Sequence, residues 1–177
     1  MVSPCTVPPA SLLDACRSRG AYADCYVVEA DRAVTLAQFV AAFYTTGVFR
    51  LERLILKWAV SRPSTDVEAH ALARGERDSF AAWRVEGRRD EEILLADFTG
   101  RTRSWLKAEP LVTTPGRSRS APRTRLYFGS AVMPQAGPST GRPTPGRRFN
   151  ALLGFHKLYS RILLHAACSR VAGGSRA

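Results

Sequence analysis

No aspartate or glutamate follows Glu109: all 15 acidic side chains lie within residues 1–109. Lysine is scarce too, with only Lys57, Lys107 and Lys157 among the 26 basic residues. Residues 1–109 carry 15 basic groups against 15 acidic ones, so the whole formal charge of +11 falls in residues 110–177. A one-sided basic segment can mark an anionic partner such as nucleic acid or lipid headgroups. The plainer reading is compositional. Arginine is common alongside Ala, Gly and Pro, as in G+C-rich coding sequence, where neutral loop positions drift to Arg. The four cysteines, Cys5, Cys16, Cys25 and Cys168, form no C-x-x-C, and the three histidines stand at no zinc-type spacing from them. No metal is therefore expected, and reduced thiols in a cytoplasmic protein are the default. No run reaches the roughly 18 apolar residues that span a membrane. Met1 to Arg19 lacks the charged start and apolar stretch of a signal peptide. A Gly-rich phosphate loop, G-x-S-x-G and H-E-x-x-H are all missing, and with them any signature of a cofactor.

What remains is an ordinary globular mix, 45% hydrophobic and 23% charged over 177 residues, enough for one core. Pro4, Pro8 and Pro9 suggest a loose segment over residues 1–20, with one helical turn around Leu12–Cys16. Residues 22–29 (YADCYVVE) read as a strand. Thr35 is an N-cap for a helix over 36–45, whose Leu36, Phe39, Val40 and Phe43 share one face. A second helix is expected over 48–60, with Trp58 on its apolar side, and a short third one, capped by Asp66 and running to about Ala73, closed by Gly75. From there the period changes from 3.6 to 2. Residues 80–88, 92–98, 101–108 and 124–133 read as strands, with turns at 89–91 and at Thr99–Gly100. Such short connections require antiparallel pairing. Segments 113–123 and 134–147, rich in Pro, Gly, Ser and Arg, read as mobile loops. A long helix from Arg148 to about Cys168 carries Phe149, Leu152, Leu153, His156, Ser160, Leu163 and Ala167 on one stripe, and residues 169–177 form a tail. The fold class is thus α+β: about five antiparallel strands, two or three helices after the first, and a C-terminal helix on the sheet, in one domain over 21–168.

This order resembles the helix-grip fold of the START, polyketide-cyclase and plant-allergen-like superfamily. Residues 94–106 (LLADFTGRTRSWL), 125–133 (RLYFGSAVM) and 149–164 (FNALLGFHKLYSRILL) look like an uncharacterised bacterial family of that superfamily. The resemblance implies a curved sheet gripping the C-terminal helix, with a cavity between them that takes a small apolar ligand. The full helix-grip fold has seven strands, two more than are read here.

Five residues are candidates for that cavity's lining. Period 2 puts Arg101, Arg103 and Trp105 on one face of their strand. Arg103 could anchor a carboxylate or phosphate, while Asp97 could pair across the hairpin with one of the arginines; an ordinary solvated ion pair is the bland alternative. Tyr127 adds aromatic bulk. His156 and Tyr159 lie one turn apart on the closing helix and could serve as acid and base in a cyclase or aromatase-type enzyme, although a core histidine is the commoner role. Gly129, inside a strand, suggests a bulge or bend. Binding of nucleic acid or another anionic surface through the C-terminal arginines is the third alternative.

Overall fold

The computed structural model describes residues 1–49, 64–111, 121–134 and 147–173, with backbone alone over 147–158. Most of the expected 48–60 helix, including Trp58, lies outside the described residues, as do most of segments 113–123 and 134–147. The strands are β1 (Ser3–Pro4), β2 (Tyr22–Ala30), β3 (Ser79–Phe80), β4 (Trp83–Arg88), β5 (Glu92–Asp97), β6 (Thr102–Leu111) and β7 (Arg123–Val132). They form one seven-stranded antiparallel sheet in the order β1-β2-β7-β6-β5-β4-β3. The described helices are α1 (Leu12–Ser18), α2 (Leu36–Tyr44), α3 (Asp66–Arg74) and α4 (Arg147–Gly173). The α+β class stands, and the strand count rises from five to seven for two reasons. The stretch expected as one strand over 80–88 breaks at Ala81, which takes a φ of 51°. β1 pairs only two residues with β2, too few to leave a period-2 signal.

Local chemistry sets the helix ends. Thr35 and Gln38 form a reciprocal capping box on α2, with Gln38 N–H donating to Thr35 Oγ1 and Thr35 N–H to Gln38 Oε1. α3 starts one residue earlier than expected: Thr65, not Asp66, is its cap, paired with Glu68. Gly75 ends it at a φ of 79°, where a Cβ would be strained.

The sheet is covered on both faces. On one, Tyr26 and Val28 of β2, Ile93 and Leu95 of β5, Leu106 of β6 and Leu126 and Phe128 of β7 are buried against α2, α3 and α4. Rings fill this layer: Phe43 lies 4.8 Å from Phe128, Tyr44 4.7 Å from Phe49 and 5.4 Å from Phe80, centroid to centroid. On the other face Cys25, Leu94, Trp105, Tyr127 and Ala131 are buried under Leu13 and Cys16 of α1. The N-terminal segment, expected to be loose, is therefore part of the packed structure. Ser11 caps α1 by accepting from Asp14 N–H, and Leu13 and Cys16 are fully buried.

Gly129 is explained by this second layer and not by a bulge. The ladders of β7 with β2 and β6 run through it without a register shift, Cys25 and Trp105 being its opposite partners. The sheet's irregularity lies instead between Val85 and Gly87 on β4. A Cβ on Gly129 would come within 2.4 Å of Leu13 Cδ2 and 2.9 Å of the Asp24 carbonyl oxygen. Gly129→Ala is accordingly expected to destabilise the fold by about 1–3 kcal/mol, the usual cost of overpacking. The shift in urea midpoint at constant slope measures it; an unchanged midpoint would mean that α1 yields freely.

Candidate functional site

The structure separates the five residues expected to share a cavity. β6 presents Ser104, Leu106 and Ala108 to the helical layer, where Ser104 Oγ lies 3.4 Å from the Tyr44 hydroxyl. Alternation then sends Arg103 and Trp105 to the opposite face, and Tyr127 follows by the same rule on β7. Tyr159 is half-buried against the core on the α4 side. The side chain of His156 lies outside the described residues. A lining shared by Arg103, Trp105, Tyr127 and Tyr159 between the sheet and α4 is thus corrected: the sheet itself stands between the first three and the fourth.

Each of those three has a partner. Trp105 is fully buried, and its indole N–H donates to Glu92 Oε2 at 2.7 Å. The same oxygen accepts the Leu12 amide at 2.9 Å, and Glu92 Oε1 accepts from Arg89 Nη1 at 2.8 Å. Arg103 forms an ion pair with Glu86, which also takes Arg19 at the end of α1 at 3.2 Å. Asp97 pairs with no arginine side chain across the hairpin. Its carboxylate accepts the Thr99 hydroxyl at 2.6 Å and the Arg101 and Thr102 amides at 2.8 and 3.1 Å, fixing the turn in which Gly100 takes a φ of 69°.

Of the five, Tyr127 borders a cavity formed by described residues. An open cleft of about 720 Å³ is bounded by the N-terminal arm (Met1, Ser3, Cys5, Thr6, Pro8), β2 (Val27, Val28, Glu29) with Asp31, and β7 (Arg123, Arg125, Tyr127). Its polar rim is internally paired. Glu29 accepts from both Arg123, at 2.6 Å, and Arg125, at 3.0 Å, while Arg123 also reaches Asp31. The Tyr127 hydroxyl donates to Glu109 Oε2, and Lys107 Nζ to Glu109 Oε1, both at 2.9 Å. Burial pushes the Tyr127 phenol up to about 12, and the neighbouring Glu109 carboxylate acts the same way. At neutral pH the phenol is therefore a proton-bearing donor. Burial also pushes the Glu109 carboxyl up, but the bonds from Lys107 and Tyr127 outweigh it and hold the group below its ordinary value.

The alternation of β7 could have disclosed Arg123, Arg125 and Tyr127 as one row, and that of β6 Lys107 and Glu109. Nothing in the local pattern pointed to Cys5 or the arm. A second groove, of about 470 Å³, runs between α2, α3 and the end of α4, past Ala41, Ala42, His70, Ala73 and Val171. Among the described residues no group of His, Cys, Asp and Glu could hold a metal ion, and no helix is long and apolar enough to cross a membrane. No protein-family model and no curated protein matches the sequence.

Glu92→Ala should cost about 2–4 kcal/mol, because it leaves a buried indole and a helix-terminal amide without their acceptor, while the exposed Arg89 guanidinium turns to water. Glu92→Gln, which keeps an acceptor for two of them, should cost clearly less. Urea unfolding followed by tryptophan fluorescence checks both, and equal losses would mean that the charge rather than the acceptor geometry matters. Glu109 has a lowered folded-state pKa. Its stabilisation is therefore full above the ordinary carboxyl value of about 4.3 and lost as pH falls through the lower folded-state value. Glu109→Gln should flatten the stability profile across that acid window. An unaltered profile would show that Glu109 contributes nothing there.

Proposed function

We propose that this chain is a small-molecule-binding protein of helix-grip-like architecture, with its ligand in the cleft between the N-terminal arm, β2 and β7. The element order after the two-residue β1 and α1 supports the architectural part: the long strand β2, helices, five further strands in a consecutive meander, and a closing helix. The observation that carries the location is the contrast between the two faces. Among the described residues, aromatic rings pack the helical layer, whereas the cleft offers about 720 Å³, within the ordinary range for a small organic ligand. Val27 and Pro8 would receive an apolar body, and Tyr127 and Arg125 a polar end. The ligand is thus mixed in character instead of wholly apolar.

A binder of anionic surfaces is less well supported. Two of the C-terminal arginines, Arg123 and Arg125, already neutralise Glu29 and Asp31. The cyclase or aromatase reading rested on His156 and Tyr159 facing the same cavity as Arg103 and Tyr127, and the two-faced sheet separates Tyr159 from that pair.

The test is a fluorescence titration with anilinonaphthalene sulfonate, a dye with an apolar body and one anionic end. Saturable binding is expected, weakened at least about tenfold by Val27→Trp, which fills the cleft; that factor corresponds to about 1.4 kcal/mol. Binding untouched by Val27→Trp but weakened by Tyr159→Phe would move the site behind α4. No saturable binding at all would overturn the proposal.

A further inference from the structure

Cys5 and Cys25 are 20 residues apart in sequence and face each other across the β1–β2 pair. The register Ser3 to Val27 and Pro4 to Tyr26 brings Cys5 opposite Cys25 as the next step, and the Cys5 amide donates to the Cys25 carbonyl at 3.0 Å. Their sulfurs lie 3.2 Å apart. A disulfide has its sulfurs about 2.05 Å apart, so only a small approach separates this dithiol from a bond. The two thiols differ in access. Cys25 is 3% exposed, whereas Cys5 is half-buried and borders the open cleft.

We infer that Cys5 and Cys25 form a thiol–disulfide exchange site that takes low-molecular-weight disulfides through the cleft and closes as a cross-strand disulfide. Cys5 loses its proton to solvent and its thiolate attacks one sulfur of the incoming R–S–S–R. The old S–S bond breaks, RS⁻ leaves, and a Cys5–S–S–R mixed disulfide remains. Cys25 then loses its proton, attacks Cys5 Sγ and expels the second RS⁻. The two thiolates take up the two protons as RSH. The dithiol has been oxidised by two electrons and the small disulfide reduced by two. The surroundings fit this order of events. The bond to Cys25 lowers the Cys5 pKa although burial opposes it, while that same bond and burial push Cys25 up. The accessible sulfur is thus the better first nucleophile. Once the mixed disulfide has formed, Cys25 lies beside the sulfur it must attack. Cys16 and Cys168 have no sulfur partner among the described residues. Cys16 is fully buried, its thiol donating to the Leu12 carbonyl, and Cys168 packs against the helical layer.

The whole chain, fully reduced, is incubated with oxidised glutathione and analysed by intact mass and by fragmentation of its tryptic peptides. The expected product has lost two hydrogens, carries no glutathione and links Cys5 to Cys25. In Cys25→Ala the reaction should stop at a stable glutathione adduct on Cys5; in Cys5→Ser neither adduct nor link should form at Cys25. A wild-type protein that stops at the Cys5 adduct, links another pair or does not react would overturn the inference. The wild-type result is decisive even if a variant fails to fold.

Discussion

The outer face of this protein depends on one buried carboxylate. Glu92 is 5% exposed, and acceptor oxygens buried to that extent need donors. It has three, each from a different element: the Leu12 amide at the first turn of α1, the Trp105 indole on β6, and Arg89 in the turn before β5. The helix-terminal amide would otherwise be unpaired, and the positive end of the α1 dipole adds to the attraction. Arg89 also donates to the Ala10 carbonyl, just before the Ser11 cap. These bonds seat α1, and α1 lays Leu13 over Gly129 and Trp105. The approach is possible because position 129 has no side chain. β1 pairs with β2 over only two residues, too short a ladder to persist alone. The arm that walls the cleft and carries Cys5 is thus held by its continuity with a helix docked through Glu92.

Much of the fold was legible because its signals are local. The change from helical to alternating period near residue 79, the capping threonine at 35, Gly100 at its positive φ and the long closing helix all follow from nearest neighbours. The two-faced sheet was legible too, although it was read as one-faced. Ile93, Leu94 and Leu95 are consecutive on β5, as are Leu126, Tyr127 and Phe128 on β7. Unbroken apolar runs of that kind mean burial on both sides. Parity alone puts Arg103 and Trp105 together, but it cannot say which face meets the C-terminal helix. That choice decided the site, and only tertiary pairing fixes it.

The charge asymmetry misleads for a related reason. Along the sequence, Arg123 and Arg125 belong to an acid-free segment. In space β7 lies beside β2, so Glu29 and Asp31 meet them from more than 90 residues away. A basic segment that forms a strand next to an acidic one offers no cationic surface at those positions. The Asp97 carboxylate likewise serves its own turn before it can reach an arginine: three short local bonds cost less chain entropy than ordering an exposed guanidinium.

The cleft and the dithiol meet on the same element. The arm supplies one wall of the cleft through Met1, Ser3, Thr6 and Pro8, and Cys5 lies between them. Closing the Cys5–Cys25 bond fixes that wall to β2; filling the cleft buries the same wall against β2 and β7. Both events favour the docked arm over a frayed one, so linkage makes each strengthen the other by an equal free energy. A ligand that needs the arm in place binds the oxidised form more tightly, and its occupancy draws the two sulfurs together. The opposite sign would require a ligand that displaces the arm, and such a ligand would also have to break the Cys5 amide bond to Cys25 and uncover the apolar surface of Val27.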